Sequence, residues 1–370
     1  MKNLFNCLLI LAVGGLFFTS CNNDDDDLKP IDVDNVTGFY FVNYGGGSSS
    51  STITKYDYSK DSVMNYYFET KNGFELNSNV QYGCEYQDKI YLMGNTVDQV
   101  IILDTGFVQS VAGISEDILV PRFCVGNGDY LYVSCWKDIS EWNIGMPSSY
   151  IAKLNINTNT VETIIPLPGG PEGLAVAKGN LYAALNYKDS VAVINLSNDE
   201  ISYIETPAVT SYFVKDQNEN LYVSLVSTAT DYSETTGLGY INTSNNSFEA
   251  SYSLEGVSSG YSAILAANGN LSVIYILASA WVEQNDGTWV QEGAIHAFDT
   301  STKAFSPFIE NLSGTNGMAY NSEKDQLYVF GAESYSEPGT VDIYTANGTY
   351  VSQFDCGISP YWAIHLNYEN

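Results

Sequence analysis

Gly173-Leu174-Ala175-Val176-Ala177-Lys178-Gly179-Asn180-Leu181-Tyr182-Ala183 reads as an apolar strand, a tight polar turn and a second apolar strand. Short apolar runs bounded by Lys-Gly-Asn mark a hairpin, and no helical period fits them. The second half of this hairpin recurs along the chain. Related quartets stand at Gly38-Phe39-Tyr40-Phe41, Lys89-Ile90-Tyr91-Leu92, Tyr130-Leu131-Tyr132-Val133, Asn220-Leu221-Tyr222-Val223, Asn270-Leu271-Ser272-Val273 and Gln326-Leu327-Tyr328-Val329. With Asn180 the copies number seven, about 40 to 56 residues apart, which is the period of a β-propeller blade. After each quartet comes a hairpin with a polar turn, as in Val193-Ile194-Asn195-Leu196-Ser197-Asn198-Asp199-Glu200-Ile201. Two strands and a hairpin of two more make a four-stranded blade.

The ends of the chain complete the count. No inner strand precedes Gly38, while Pro360-Tyr361-Trp362-Ala363-Ile364-His365-Leu366 is left over at the C-terminus. Placed inside the first blade, that strand closes the ring and removes an exposed edge. The expected fold is therefore all-β: a seven-bladed β-propeller over 38–370, closed by its C-terminal strand, with no helix predicted.

Ahead of it, residues 1–20 have the order of a signal peptide: Lys2, an apolar run from Leu8 to Phe18, then Thr19-Ser20. Cys21 is expected to be the lipid-bearing first residue of the mature chain, followed over 21–37 by a flexible tether that contains Asp24-Asp25-Asp26-Asp27. The apolar run is short for a membrane span. The expected location is the outer membrane, held by lipid alone and facing outward.

Fourteen Lys and Arg against 43 Asp and Glu give a formal charge of −29, which leaves nucleic acid or an anionic membrane without electrostatic footing. Cys84, Cys124, Cys135 and Cys356 show no CxxC spacing, so no zinc site is expected, and an exported compartment permits disulfides without choosing a pairing. His296 and His365 both lie in predicted strands and read as structural. Nucleophile elbow, HExxH, P-loop and EF-hand patterns are missing, so no catalytic residues, metal or resident cofactor are predicted and the chain is expected not to be an enzyme. Carboxylates drawn from separate blades, as in a glycosidase or a lyase, stay open as an alternative, and so does a scaffold that binds protein or glycan.

In a blade, the linkers into the inner strand and the loops after the second strand emerge on one face. Here they are long and aromatic, whereas the opposite turns are short and polar. Aromatics give much contact area at little entropy cost, so this face is the candidate for a large, partly apolar ligand. The ligand-binding candidates are Tyr82, Arg122, Phe123, Trp136, Trp142, Tyr187, Tyr212, Tyr261, Trp281, Tyr335, Tyr361 and Trp362. Gln81, Glu172 and Asn316 enter the axis at matching positions, and a loop is expected from Trp281 through Trp289. Arg122, the sole Arg, is the candidate anchor for a carboxylate, phosphate or amide, or else it pairs with a carboxylate of the chain.

A lipobox with an acidic tail, followed by blades carrying Pro171-Glu172-Gly173-Leu174-Ala175-Val176 and Asp189-Ser190-Val191-Ala192-Val193-Ile194-Asn195, resembles the YncE-like propeller lipoproteins of gut anaerobes. Among these, the BtuG-type proteins are captors of vitamin B12. The resemblance implies capture of cobalamin or another corrinoid at the cell surface and its delivery to a TonB-dependent outer-membrane transporter.

Overall fold

Alternation inside each quartet accounts for the architecture. In the strand Asn180–Leu185, Leu181, Ala183 and Leu185 belong to one apolar cluster and Tyr182 and Ala184 to another. In Tyr130–Cys135, Leu131 and Val133 face one neighbour and Tyr132 the other. A strand that is apolar on both faces needs a sheet on each side. Repeated round a ring, this gives seven sheets and seven wedges of core, one between each pair of neighbouring blades.

The computed structural model describes residues 36–46, 49–227, 236–254, 264–285, 287–334 and 336–367. Cys21, the signal and the acidic run fall outside these, as do Tyr261, Tyr335 and the side chain of Trp281. Seven sheets form an all-β propeller, as the repeat count predicts. Their innermost strands are Pro360–Leu366, Val80–Tyr86, Pro121–Asn127, Pro171–Ala177, Val209–Lys215, Leu265–Ala267 and Thr315–Asn321, for blades one to seven in turn. The C-terminal strand pairs antiparallel with Gly38–Asn43, Leu366 opposite Gly38 and Trp362 opposite Val42, so the ring closes as expected. No helix among the described residues is long and apolar enough to cross a membrane.

Three details depart from the pattern. Blade two has three strands, and where a fourth would lie a single bridge joins Val100 to Ile114. A short helix, Tyr67–Asn72, interrupts the all-strand expectation; it buries Tyr67 and Phe68 between blades one and two, with Tyr67 edge-on to Tyr40, and stops at Gly73 in the left-handed region at φ 74°. Six residues are too few to show a helical period. The expected loop from Trp281 through Trp289 is instead the end of a long hairpin, in which Val273–Glu283 pairs with Trp289–Asp299.

Both histidines sit in strands. His365 stacks on Phe39 at 4.2 Å, and its Nε2 lies 3.2 Å from the Tyr58 hydroxyl. Burial lowers the pKa of His365 and of His296 below the ordinary value. A base with a depressed folded-state pKa stabilises the fold above its unfolded pKa, near 6.5, and that contribution is lost as pH falls below it. Thermal melts are expected to show Tm falling from about pH 7.5 to about pH 5.5. His365→Phe, which keeps the stack on Phe39, is expected to flatten part of that slope.

Candidate axial binding site

A register shift recurs at the same place in the inner strands. Gln81 is passed over between Val80 and Tyr82, Arg122 between Pro121 and Phe123, Asn316 between Thr315 and Gly317, and Tyr361 between Pro360 and Trp362. In blades four and five the shift spans Glu172-Gly173 and Ser211-Tyr212. A bulged residue leaves the ladder, so its side chain is re-aimed. Six of the seven blades thereby turn a residue at the entrance of the inner strand, and each of these six bulges includes a side chain singled out from the sequence: Gln81, Arg122, Glu172, Tyr212, Asn316 and Tyr361.

Four of these side chains meet. The Arg122 guanidinium donates from Nε to Glu172 Oε2 at 2.9 Å and from Nη2 to Oε1 at 3.1 Å, a bidentate pair. Gln81 Nε2 donates to Glu172 Oε1 at 3.0 Å, and the Tyr212 hydroxyl reaches the same oxygen at 3.5 Å. Gln81 in turn accepts from Asn95 Nδ2 at 3.0 Å, and Tyr44 donates to Asn95 Oδ1 at 3.2 Å. Side-chain exposure is 14% for Arg122 and 3% for Glu172, so the pair is desolvated but Arg122 keeps one accessible side. Burial works against the Arg122 charge, yet the adjacent Glu172 carboxylate outweighs it and raises the pKa. Burial, with Glu172 next to it, pushes the Tyr212 hydroxyl well up. Gly173 makes room for this contact: a Cβ there would stand 2.4 Å from the Ser211 carbonyl oxygen.

Aromatic rings surround the polar set on two sides. The Arg122 guanidinium carbon lies over Trp136, 3.9 Å from the ring centre, and Trp136 meets Tyr187 edge-on at 5.5 Å and donates from Nε1 to the Pro171 carbonyl at 3.0 Å. Tyr82 stacks on Phe123 at 3.7 Å and lies 4.6 Å from Trp362, while Tyr212 is near-parallel to Trp362 at 6.1 Å. Phe123, of blade three, also packs on the core between blades six and seven, so this group of rings fills the axis from side to side. Tyr361 joins the set beside Tyr44, with ring centres 6.0 Å apart. The site is a polar ring above an aromatic floor.

Sequence reading finds most of this set. The fold brings together Tyr82, Arg122, Phe123, Trp136, Tyr187, Tyr212, Tyr361 and Trp362, whereas Trp142 lies half exposed on the 3-10 turn Ile139–Ile144. The carboxylate that Arg122 holds is Glu172, already placed at the axis by its linker position but not ranked among the binding residues. Nothing in the local sequence links 122 to 172; only the ring geometry does.

No family model matches the chain, and no curated protein matches it. Solved structures do resemble it in fold. A quinoprotein alcohol dehydrogenase-like protein from Bacteroides thetaiotaomicron superposes with a TM-score of 0.65 at 17% identity, over 89% of this chain and 78% of that one. A provisionally assigned 6-phosphogluconolactonase from Bacteroides uniformis gives 0.63 at 11%, over 88% and 98%. The periplasmic gluconolactonase of Pseudomonas aeruginosa gives 0.59 at 13%, over 88% and 98%. The expectation that the chain is not an enzyme is thereby corrected, because enzymes are among the propellers of this shape. It rested on missing contiguous motifs, and a site built from one residue per blade carries none. At these identities the likeness establishes the seven-bladed propeller and nothing finer.

Proposed function

We propose that the axial face binds a large neutral ligand rich in hydroxyl or amide groups, presented at the outer surface of a cell by a lipid on Cys21. The observation that carries this reading is the convergence of bulged residues on one polar ring over an aromatic floor. Arg122 and Glu172 neutralise each other, so the ring offers donors and acceptors without net charge, and Gln81, Asn95 and Tyr44 extend it. A few convergent polar groups among aromatics suit such a ligand. A corrinoid, with amide arms round a flat macrocycle, has that chemistry, in keeping with the resemblance to the BtuG-type captors; a TonB-dependent transporter would then receive it.

A second reading is a sugar lactone, also neutral and hydroxyl-rich, bound and opened at the same ring. It is supported by Tyr212 and Arg122 both lying within hydrogen-bonding reach of Glu172. Oε1 of Glu172 accepts from Gln81, Arg122 and Tyr212 at rest, whereas Oε2 accepts from Arg122 alone, so Oε2 is the oxygen that would act on the ligand.

Calorimetry with cyanocobalamin and with a six-membered sugar lactone, joined to a pH-stat assay for acid release, separates the two. Trp136→Ala removes the ring under Arg122 and is expected to weaken cobalamin binding about tenfold, the size of one desolvated cation–π contact. Acid release that disappears in Glu172→Gln would favour the lactone. Binding of neither compound overturns the axial site.

A further inference from the structure

Just past the bulges, the inner strands of blades two and three carry a pair of thiols. Cys84 Sγ and Cys124 Sγ are 3.1 Å apart, Cys84 half-buried and Cys124 buried. The strands are pinned on both sides of the pair. Toward the axial ring, Tyr82 stacks on Phe123; on the other side, Tyr86 lies over Gly126, whose missing side chain leaves room for the ring, and its hydroxyl donates to the Gly128 carbonyl at 2.8 Å. Sulfurs at this spacing need to move by only about 1 Å to reach a covalent bond. Cys135 and Cys356 are buried, Cys135 beside Tyr150 in blade three and Cys356 in the core between blades seven and one.

We propose that Cys84 and Cys124 form a disulfide that staples blade two to blade three beneath the axial ring. The oxidant is a disulfide of the exchange type, small or protein-borne. The half-buried Cys84 loses its proton and attacks one oxidant sulfur, releasing one thiol and leaving a mixed disulfide. Cys124 then loses its proton and attacks the Cys84 sulfur, expelling the second thiol. Two protein thiols and one oxidant disulfide thus become one protein disulfide and two oxidant thiols. Burial raises the Cys124 pKa, which fits it to the second, intramolecular step rather than the first. The bond spans 40 residues and fixes the strands that carry Tyr82, Arg122 and Phe123.

The full mature chain, equilibrated with mixed oxidised and reduced glutathione, is alkylated in denaturant, digested with trypsin and sequenced by fragmentation. A Cys84–Cys124 link is expected, with Cys135 and Cys356 alkylated. Alkylation of both Cys84 and Cys124, or a link to any other cysteine, overturns the proposal. In a second measurement dithiothreitol lowers the Tm of the oxidised chain by about 5 °C and leaves Cys84→Ala unmoved. Cys124→Ala makes the same comparison if Cys84→Ala does not fold. A linked chain whose Tm ignores dithiothreitol overturns the staple.

Discussion

Deleting residues 360–370 is expected to abolish cooperative folding. The strand Pro360–Leu366 supplies the inner edge of blade one, and without it Gly38–Asn43 loses its ladder partners on that side. Ile364 and Leu366 leave the core between blades one and two, and Trp362 leaves the axis. A ring whose core is a set of wedges loses two of them when one blade opens, because each blade serves both neighbours. The combined loss exceeds the roughly 5–15 kcal/mol by which a domain is stable. Near-UV circular dichroism and a thermal melt of the truncated chain check this, and a sharp native-like transition would contradict it. Ile364→Asp asks the same question with one residue: a carboxylate in that wedge, at a position 4% exposed, is expected to remove most of the soluble yield.

Glu172→Leu is expected to cost about 3–5 kcal/mol, since it leaves a desolvated guanidinium without its counter-ion. Gln81 and Tyr212 lose an acceptor in the same step. The urea midpoint of the variant measures the loss. Arg122→Met combined with Glu172→Leu is expected to recover most of it, because a well-packed apolar pair replaces a buried ion pair at little net cost. Ligand affinity behaves differently: it is expected to stay low in both variants. Recovery of stability without recovery of binding would mark the pair as part of the recognition surface rather than a mere brace.

The propeller was legible because its quartets are apolar on both faces. Leu131, Tyr132 and Val133 cannot all be buried unless two sheets flank the strand, and seven such strands leave few alternatives. Closure was legible because Pro360–Leu366 had no other partner. The axial positions were legible for a related reason, since each lies where a linker enters an inner strand, and there the bulge turns it inward. The pairing of those positions was not. Arg122 and Glu172 are 50 residues apart, and Cys84 and Cys124 are 40; such contacts depend on the angle between blades, which no local pattern encodes. Tyr67–Asn72 escaped notice for the opposite reason, being too short for any periodicity to register. Absent contiguous motifs carried too much weight, since enzymes are among the propellers of this shape and a site built from one residue per blade leaves no contiguous motif.

The bulged residues stand outside the hydrogen-bond ladders that hold the blades, so the pairing of the strands does not depend on their identity, although stability does depend on the Arg122–Glu172 pair. Each is one character in a word spelled round the axis: Gln81, Arg122, Glu172, Tyr212, Asn316 and Tyr361. Such a word can be rewritten a letter at a time. New ligand preferences then become reachable by single substitutions that leave the strand pairing intact, save at the coupled letters 122 and 172, which must change together.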